Sequence, residues 1–243
     1  MPLSALPVPP SRRAIEKHPR AVRWTHWISF PLLTVMIWSG LLIYWANDVY
    51  RIGWGDWTLV PFFPDSVYDA LGMDHKLARG MAFHYLFGWL FALNGVLYVL
   101  YTALSGEWRH LLPDRHAWKE AGQVVLHDLH LRKELPPQGR YNAAQRITYT
   151  GVIAMGAGSV LTGLAIYKPT QLAWLAALFG GYQGARTVHF VLTIGYVLFF
   201  GVHIAQVVRA GWGNFWSMVM GYERLDAESP APFAVPAEDA DTP

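Results

Sequence analysis

The sequence predicts an all-α membrane protein, a four-transmembrane-helix bundle with both termini cytoplasmic and short interfacial helices between the spans. Three observations predict it. Of the 243 residues, 53% are hydrophobic and only 15% charged, whereas a soluble domain carries about a quarter charged residues. The charges cluster and leave four nearly uncharged runs, each close to the roughly 20 residues that a helix needs to cross the hydrocarbon core. Trp, Tyr and Arg flank these runs, as they do at membrane–water interfaces.

Residues 1–22, proline-rich and then basic, read as a disordered N-terminal tail without the apolar core of a signal peptide. The first span then serves as its own insertion signal. It covers 24–46, opens Trp-Thr-His-Trp with His26, contains Pro31, and ends at Tyr44 and Trp45. Residues 47–77 are rich in Trp, Gly, Pro and Asp, with a short helix near 66–71. Connections this long are usually functional or disordered, and the aromatic content here predicts an ordered cap on the membrane surface. The second span, 79–104, carries His84 in its second turn and Asn94-Gly95 at mid-membrane. A buried Asn needs a partner there, and Gly admits another helix or a flat ligand.

Residues 105–142 are polar and include an amphipathic helix over 118–133. The third span, 146–167, has no histidine but four glycines, Gly151, Gly156, Gly158 and Gly163; they favour close packing or a groove for a planar cofactor. A short apolar run at 172–179 precedes the fourth span, 186–208, which holds His189 and His203. An interfacial segment rich in Trp and Gly follows. The domain thus covers 23–221, and the Pro-, Ala- and acid-rich residues 222–243 read as disordered.

Orientation follows from the bias of Lys and Arg toward cytoplasmic loops. Fourteen of the 19 Lys and Arg residues fall on the side of the N-terminus, the 105–142 loop and the C-terminus; the other five are Arg51, Lys76, Arg79, Lys168 and Arg186. Both termini are therefore expected in the cytoplasm, across a bacterial inner membrane.

With that orientation, His84 and His189 share the outer level and His26 and His203 the inner one. His189 and His203 are fourteen residues apart, about 21 Å along nearly one helix face. A lone histidine near a helix end is more often interfacial than a ligand. Four histidines matched in depth on three helices instead predict two metal sites. The chain has no cysteine, which excludes disulfides, thiolate catalysis, iron–sulfur clusters on Cys and covalent haem attachment. No span offers an acidic residue to complete a zinc site of four protein ligands. Two facing imidazoles suit bis-histidine haem b, held non-covalently. His127 and His130, three apart, read as the solvated face of the amphipathic helix. His18, His110 and His116 read as surface, and His75 as interfacial.

The residues that carry a family resemblance are Arg-Trp-Thr-His-Trp with His26, the Gly-Met-Ala-Phe-His-Tyr stretch with His84, and the His189/His203 pair. Over residues 20–221 the chain resembles the b-type cytochrome subunits of nickel–iron hydrogenases, formate dehydrogenases and thiosulfate reductases, grouped with bacterial cytochrome b-561. The stretch 94–113 looks most like the thiosulfate-reductase cytochrome b branch. The resemblance implies two haems b, one between His84 and His189 and one between His26 and His203, and a quinone site near the cytoplasmic haem. Propionates need cationic partners; Arg79 and Arg186 stand near the outer ligands, and Arg23 and Arg209 near the inner ones. Gln206 is a candidate quinone contact.

The function expected is a dihaem membrane-anchor subunit carrying electrons between a partner oxidoreductase, of the molybdopterin-containing kind, and the quinone pool. Nucleic acid is not an expected partner, and the chain itself reads as an electron-transfer subunit rather than a catalytic one. A free-standing cytochrome b-561-type quinol oxidoreductase is the alternative within redox chemistry. A metal or proton transporter with a histidine relay is the alternative outside it.

Overall fold

The computed structural model describes residues 13–47, 49–54, 57–128, 130–134, 136 and 141–225. In chain order the elements are strand β1 (Arg13–Glu16), helix α1 (Arg20–Tyr44), a single 3-10 turn (Trp45–Asn47), strands β2 (Arg51–Trp54) and β3 (Trp57–Pro61), and helices α2 (Asp65–Leu71), α3 (Leu77–Ser105), α4 (Trp108–Leu111), α5 (Ala117–Asp128), α6 (Ala143–Tyr167), α7 (Ala173–Leu178) and α8 (Gly181–Met220), closed by strand β4 (Tyr222–Leu225). Helices α1, α3, α6 and α8 are long and apolar enough to cross a membrane. Their exposed large side chains, such as Leu86, Trp89, Leu93 and Leu97 on α3, suit hydrocarbon rather than water.

The chain forms two compact units. One comprises Trp24–Leu100 and Gly156–Thr193. One buried cluster in it joins Leu42, Tyr44, Tyr68 and Met73, packed with Trp38, Tyr50, Phe62 and Phe190. The Tyr44 hydroxyl accepts from the Tyr50 amide at 2.9 Å and donates to the Tyr50 carbonyl at 3.2 Å. Tyr50 and Phe190 stack with ring centres 4.4 Å apart. The Tyr68 hydroxyl donates to the Leu41 carbonyl at 3.2 Å. The described residues of 47–77 are thus bound to helix ends. They also form an antiparallel hairpin of β2 and β3, an element absent from the sequence expectation. A second cluster joins Ala165, Leu175, Ala176 and Ala185.

The other unit takes in the described parts of Met1–Arg23, Tyr101–Met155 and Ile194–Pro243. Here β1 pairs antiparallel with β4, so residues 13–16, expected within a disordered tail, are ordered by a partner from the far end of the chain, as are residues 222–225. Lys17 Nζ donates to Asn214 Oδ1 at 3.0 Å, and Arg23 Nη1 to the Val219 carbonyl at 2.7 Å. The polar connection is pinned by Arg146, whose guanidinium meets the Leu112 carbonyl and, at 3.0 Å, Asp114 Oδ2. That hydrogen bond, with the His116 amide, holds the Asp114 carboxyl below its ordinary value.

Helix α8 runs past the expected end of the fourth span and breaks at Gly211, where φ is 81° and ψ 172°. A side chain would be strained there, while glycine takes the turn at little cost. The aromatic residues Trp212, Phe215 and Trp216 pack against one another just beyond the break.

The contact of α1 with α3 is set by Gly80. A Cβ there would lie 2.7 Å from Leu42 Cβ and 3.1 Å from the Ser39 carbonyl oxygen. Gly80→Ala is therefore expected to force the two helices apart and lower the thermal midpoint of the detergent-solubilised protein, with a loss of about 1–3 kcal/mol. A wild-type midpoint in that variant would contradict the close approach.

Candidate functional site

Within the Trp24–Leu100/Gly156–Thr193 unit, α3 presents His84 and α8 presents His189. Their ring centres are 6.1 Å apart, with the planes at 70°. Each imidazole is held from behind by a different helix. Ser39 Oγ on α1 lies 3.0 Å from His84 Nδ1, and Thr162 Oγ1 on α6 lies 2.8 Å from His189 Nδ1. Ser39 and Thr162 are both fully buried. A Cβ built on Gly40 or Gly163 would stand 3.5 Å from the Cε1 atom of His84 or His189, in ordinary contact, so α1 and α6 both run close beside the rings. All four long helices therefore serve this one site. The third span is more than a closing wall, because its Thr162 holds a histidine.

The spacing fits a shared metal. A metal–imidazole bond of about 2 Å on each side, with roughly 1 Å from each nitrogen to its ring centre, places the two centres roughly 6 Å apart. Among the described residues no group of three or more His, Cys, Asp or Glu converges. Among the described residues two imidazoles are what the protein offers here, and a metal held between them would bring its remaining ligands with it. A haem supplies four in its ring plane and takes one imidazole on each face. The donor set therefore fits haem, and His84 and His189 would hold it.

The sequence model of prokaryotic cytochrome b561 matches residues 17–221. The chain belongs to that family. Membership in a b-type cytochrome family implies haem b as the prosthetic group, and the four candidate spans make this cytochrome a membrane protein. It is also similar to the "Putative protein-methionine-sulfoxide reductase subunit YedZ1" of Azospira oryzae, 31% identical over 191 residues, which cover 78% of this chain and 89% of the relative. That relative is named for a methionine-sulfoxide reductase rather than for a thiosulfate reductase.

The other residues singled out in the sequence fall as follows. His26 lies on α1 with its ring edge-on to Trp27 at 5.2 Å. His203 lies on α8 and stacks with Phe199 at 5.6 Å. Arg186 donates to Gln183 Oε1 and lies over the Tyr182 ring, while Arg79 is exposed on the first turn of α3. In the unit that holds the chain ends, Arg23 is bound to the Val219 carbonyl. There Arg209 and Gln206 both donate to the Asp128 carboxylate, each at 3.3 Å. Asp128, the last residue of α5, is a partner that the sequence reading did not name. His75 sits against Trp45 at 4.5 Å, and His127 Nδ1 lies 3.1 Å from the Arg132 carbonyl oxygen.

Asn94 has the partner its depth requires. Its Nδ2 donates to Ser29 Oγ at 2.8 Å and to the Thr25 carbonyl at 3.1 Å, two residues that straddle His26 in sequence. Ser29 Oγ donates in turn to the same carbonyl. Gly95 beside it has open space. Interhelical hydrogen bonds in membranes are worth about 0.6–1.7 kcal/mol each, so Asn94→Leu is expected to lower the thermal midpoint in detergent by an amount of that order. An undiminished midpoint would mean that the bonds add nothing to the α1–α3 contact.

Proposed function

We propose that this cytochrome is a dihaem membrane-anchor subunit that carries electrons across the bacterial inner membrane between a partner oxidoreductase and the quinone pool. The observation that carries the reading is the facing pair of His84 and His189, 6.1 Å apart and held by opposite helices. Haem b, when bound, supplies reversible one-electron exchange at iron. His84 and His189 hold the first haem; His26 and His203 hold the second, a pairing supported by their matched depth along the spans. Arg79 and Arg186 are the proposed propionate partners of the first haem, and Arg23 and Arg209 those of the second. The excess of Lys and Arg in the terminal segments and the 105–142 connection supports cytoplasmic termini.

The partner is a separate catalytic subunit, of the molybdopterin-containing kind. Two observations support it. The similar Azospira oryzae protein is named as a reductase subunit, and residues 47–77 build a surface of β2, β3 and α2 fastened to Tyr44 and Phe190. The quinone side is supported by the resemblance of the sequence to respiratory cytochrome subunits.

Redox titration of the purified protein tests the reading. Two b-type components are expected in the wild type. His84→Ala removes one of them and His203→Ala the other, the latter with loss of reduction by a quinol. A spectrum without a b-type α-band refutes haem binding, and a single component unaffected by His203→Ala refutes the second site. Co-elution of a catalytic subunit from native membranes checks the anchor role.

A further inference from the structure

Two five-residue frames in this chain are built alike. Met36-Ile37-Trp38-Ser39-Gly40 lies on α1, and Ser159-Val160-Leu161-Thr162-Gly163 on α6. In each frame the fourth residue sets a hydroxyl beside a histidine Nδ1, Ser39 by His84 and Thr162 by His189. The first residue turns its main-chain carbonyl to the same histidine, Met36 to His84 and Ser159 to His189. The fifth is a glycine beside the ring, where a Cβ would lie 3.5 Å from Cε1 in both cases.

The direction of the hydrogen bonds can be derived. A hydroxyl has one proton to give. Ser39 gives its proton to the Met36 carbonyl at 3.2 Å. Thr162 gives its own to the Gly158 carbonyl at 2.7 Å, with the Ser159 carbonyl at 3.2 Å. With its proton on the carbonyl, each oxygen meets its imidazole with a lone pair, and the neighbouring carbonyl can only accept as well. Both surroundings call for a proton on Nδ1. In a neutral imidazole the other nitrogen then carries the lone pair. That nitrogen is Nε2, in the form a metal requires.

We propose that Ser39 and Thr162 are positioning residues of the His84–His189 site, each fixing its histidine as the Nδ1–H tautomer and reserving Nε2 for iron. This rests on the reading that these histidines hold a haem. The supports are neutral hydroxyls, so they leave the imidazoles neutral and add no charge of their own inside the bilayer. Removing the hydroxyl takes one of two acceptors from the N–H, leaving the main-chain carbonyl alone, and makes the ring a poorer donor. The ferric state then loses stabilisation, and the midpoint potential of that haem moves in the positive direction.

The test uses the full-length protein in detergent, with Ser39→Ala, Thr162→Val and Thr162→Ser beside His84→Ala and His189→Ala. Loss of such outer partners costs about 10–100-fold in metal affinity. Ser39→Ala and Thr162→Val are expected to weaken haem retention on that scale and to shift one midpoint potential positive, while Thr162→Ser restores both. Nitrogen NMR of labelled histidines in the haem-free protein should show Nδ1 protonated in both rings. Wild-type potential and retention in Ser39→Ala and Thr162→Val overturn the proposal. So does a Thr162→Ser variant that behaves like Thr162→Val, which would assign the effect to packing, or a proton found on Nε2 of either ring. If His84→Ala and His189→Ala keep the full haem content, the ligand reading itself has failed, which is a separate outcome.

Discussion

Inside a bilayer there is no water to satisfy a polar group, so each one must find its partner within the protein. This constraint shapes the half of the cytochrome that holds His84 and His189. Asn94 is bonded to Thr25 and Ser29. Ser39 and Thr162 each turn their hydroxyl proton back onto their own helix. With that done, their oxygens can serve only one side of each imidazole. The buried hydroxyls of this half thus serve their own helices and the two histidines at once.

The histidines and the spans were legible in the sequence because both are long-period signals. A charge-free run of helix length has few other meanings, and imidazoles deep in such runs stand out against leucine and valine. Ser39 and Thr162 were not legible. Small hydroxyl residues are common in membrane helices and ordinarily bond their own backbone, so nothing in Trp-Ser-Gly or Leu-Thr-Gly announces a support for a ring on another helix. Only their juxtaposition with His84 and His189 reveals it. Asp128 escaped for a similar reason, since one carboxylate at the end of an amphipathic helix has no sequence sign that Gln206 and Arg209 will reach it.

Two further departures have different physical origins. The ladder of β1 with β4 joins segments about two hundred residues apart, and a pairing so distant leaves no local pattern. The β2–β3 hairpin, by contrast, did have one. Two runs with aromatic and β-branched residues flank a Gly-Asp dipeptide at 55–56, a recognised two-residue hairpin signature, masked there by the surrounding Trp, Gly and Pro. The hairpin lies in the connection that Tyr50 ties to Tyr44 and Phe190. Phe190 is the residue after His189, so the packing of that connection bears on the turn of α8 that carries a candidate ligand.

The break in α8 has a consequence of register. Left-handed backbone is cheap for glycine alone, so the bend is fixed to Gly211 and is not shared among neighbours. Eight residues separate it from His203, about 12 Å of helix. The aromatic group of Trp212, Phe215 and Trp216 begins immediately after it. The segment from His203 to Gly211 therefore works as a ruler, with a histidine at one end and an indole-rich foot at the other. Adding or deleting a single residue within it would turn the foot by about 100° relative to the histidine and alter its height. A change in the length of this stretch therefore displaces the foot as a whole from the histidine.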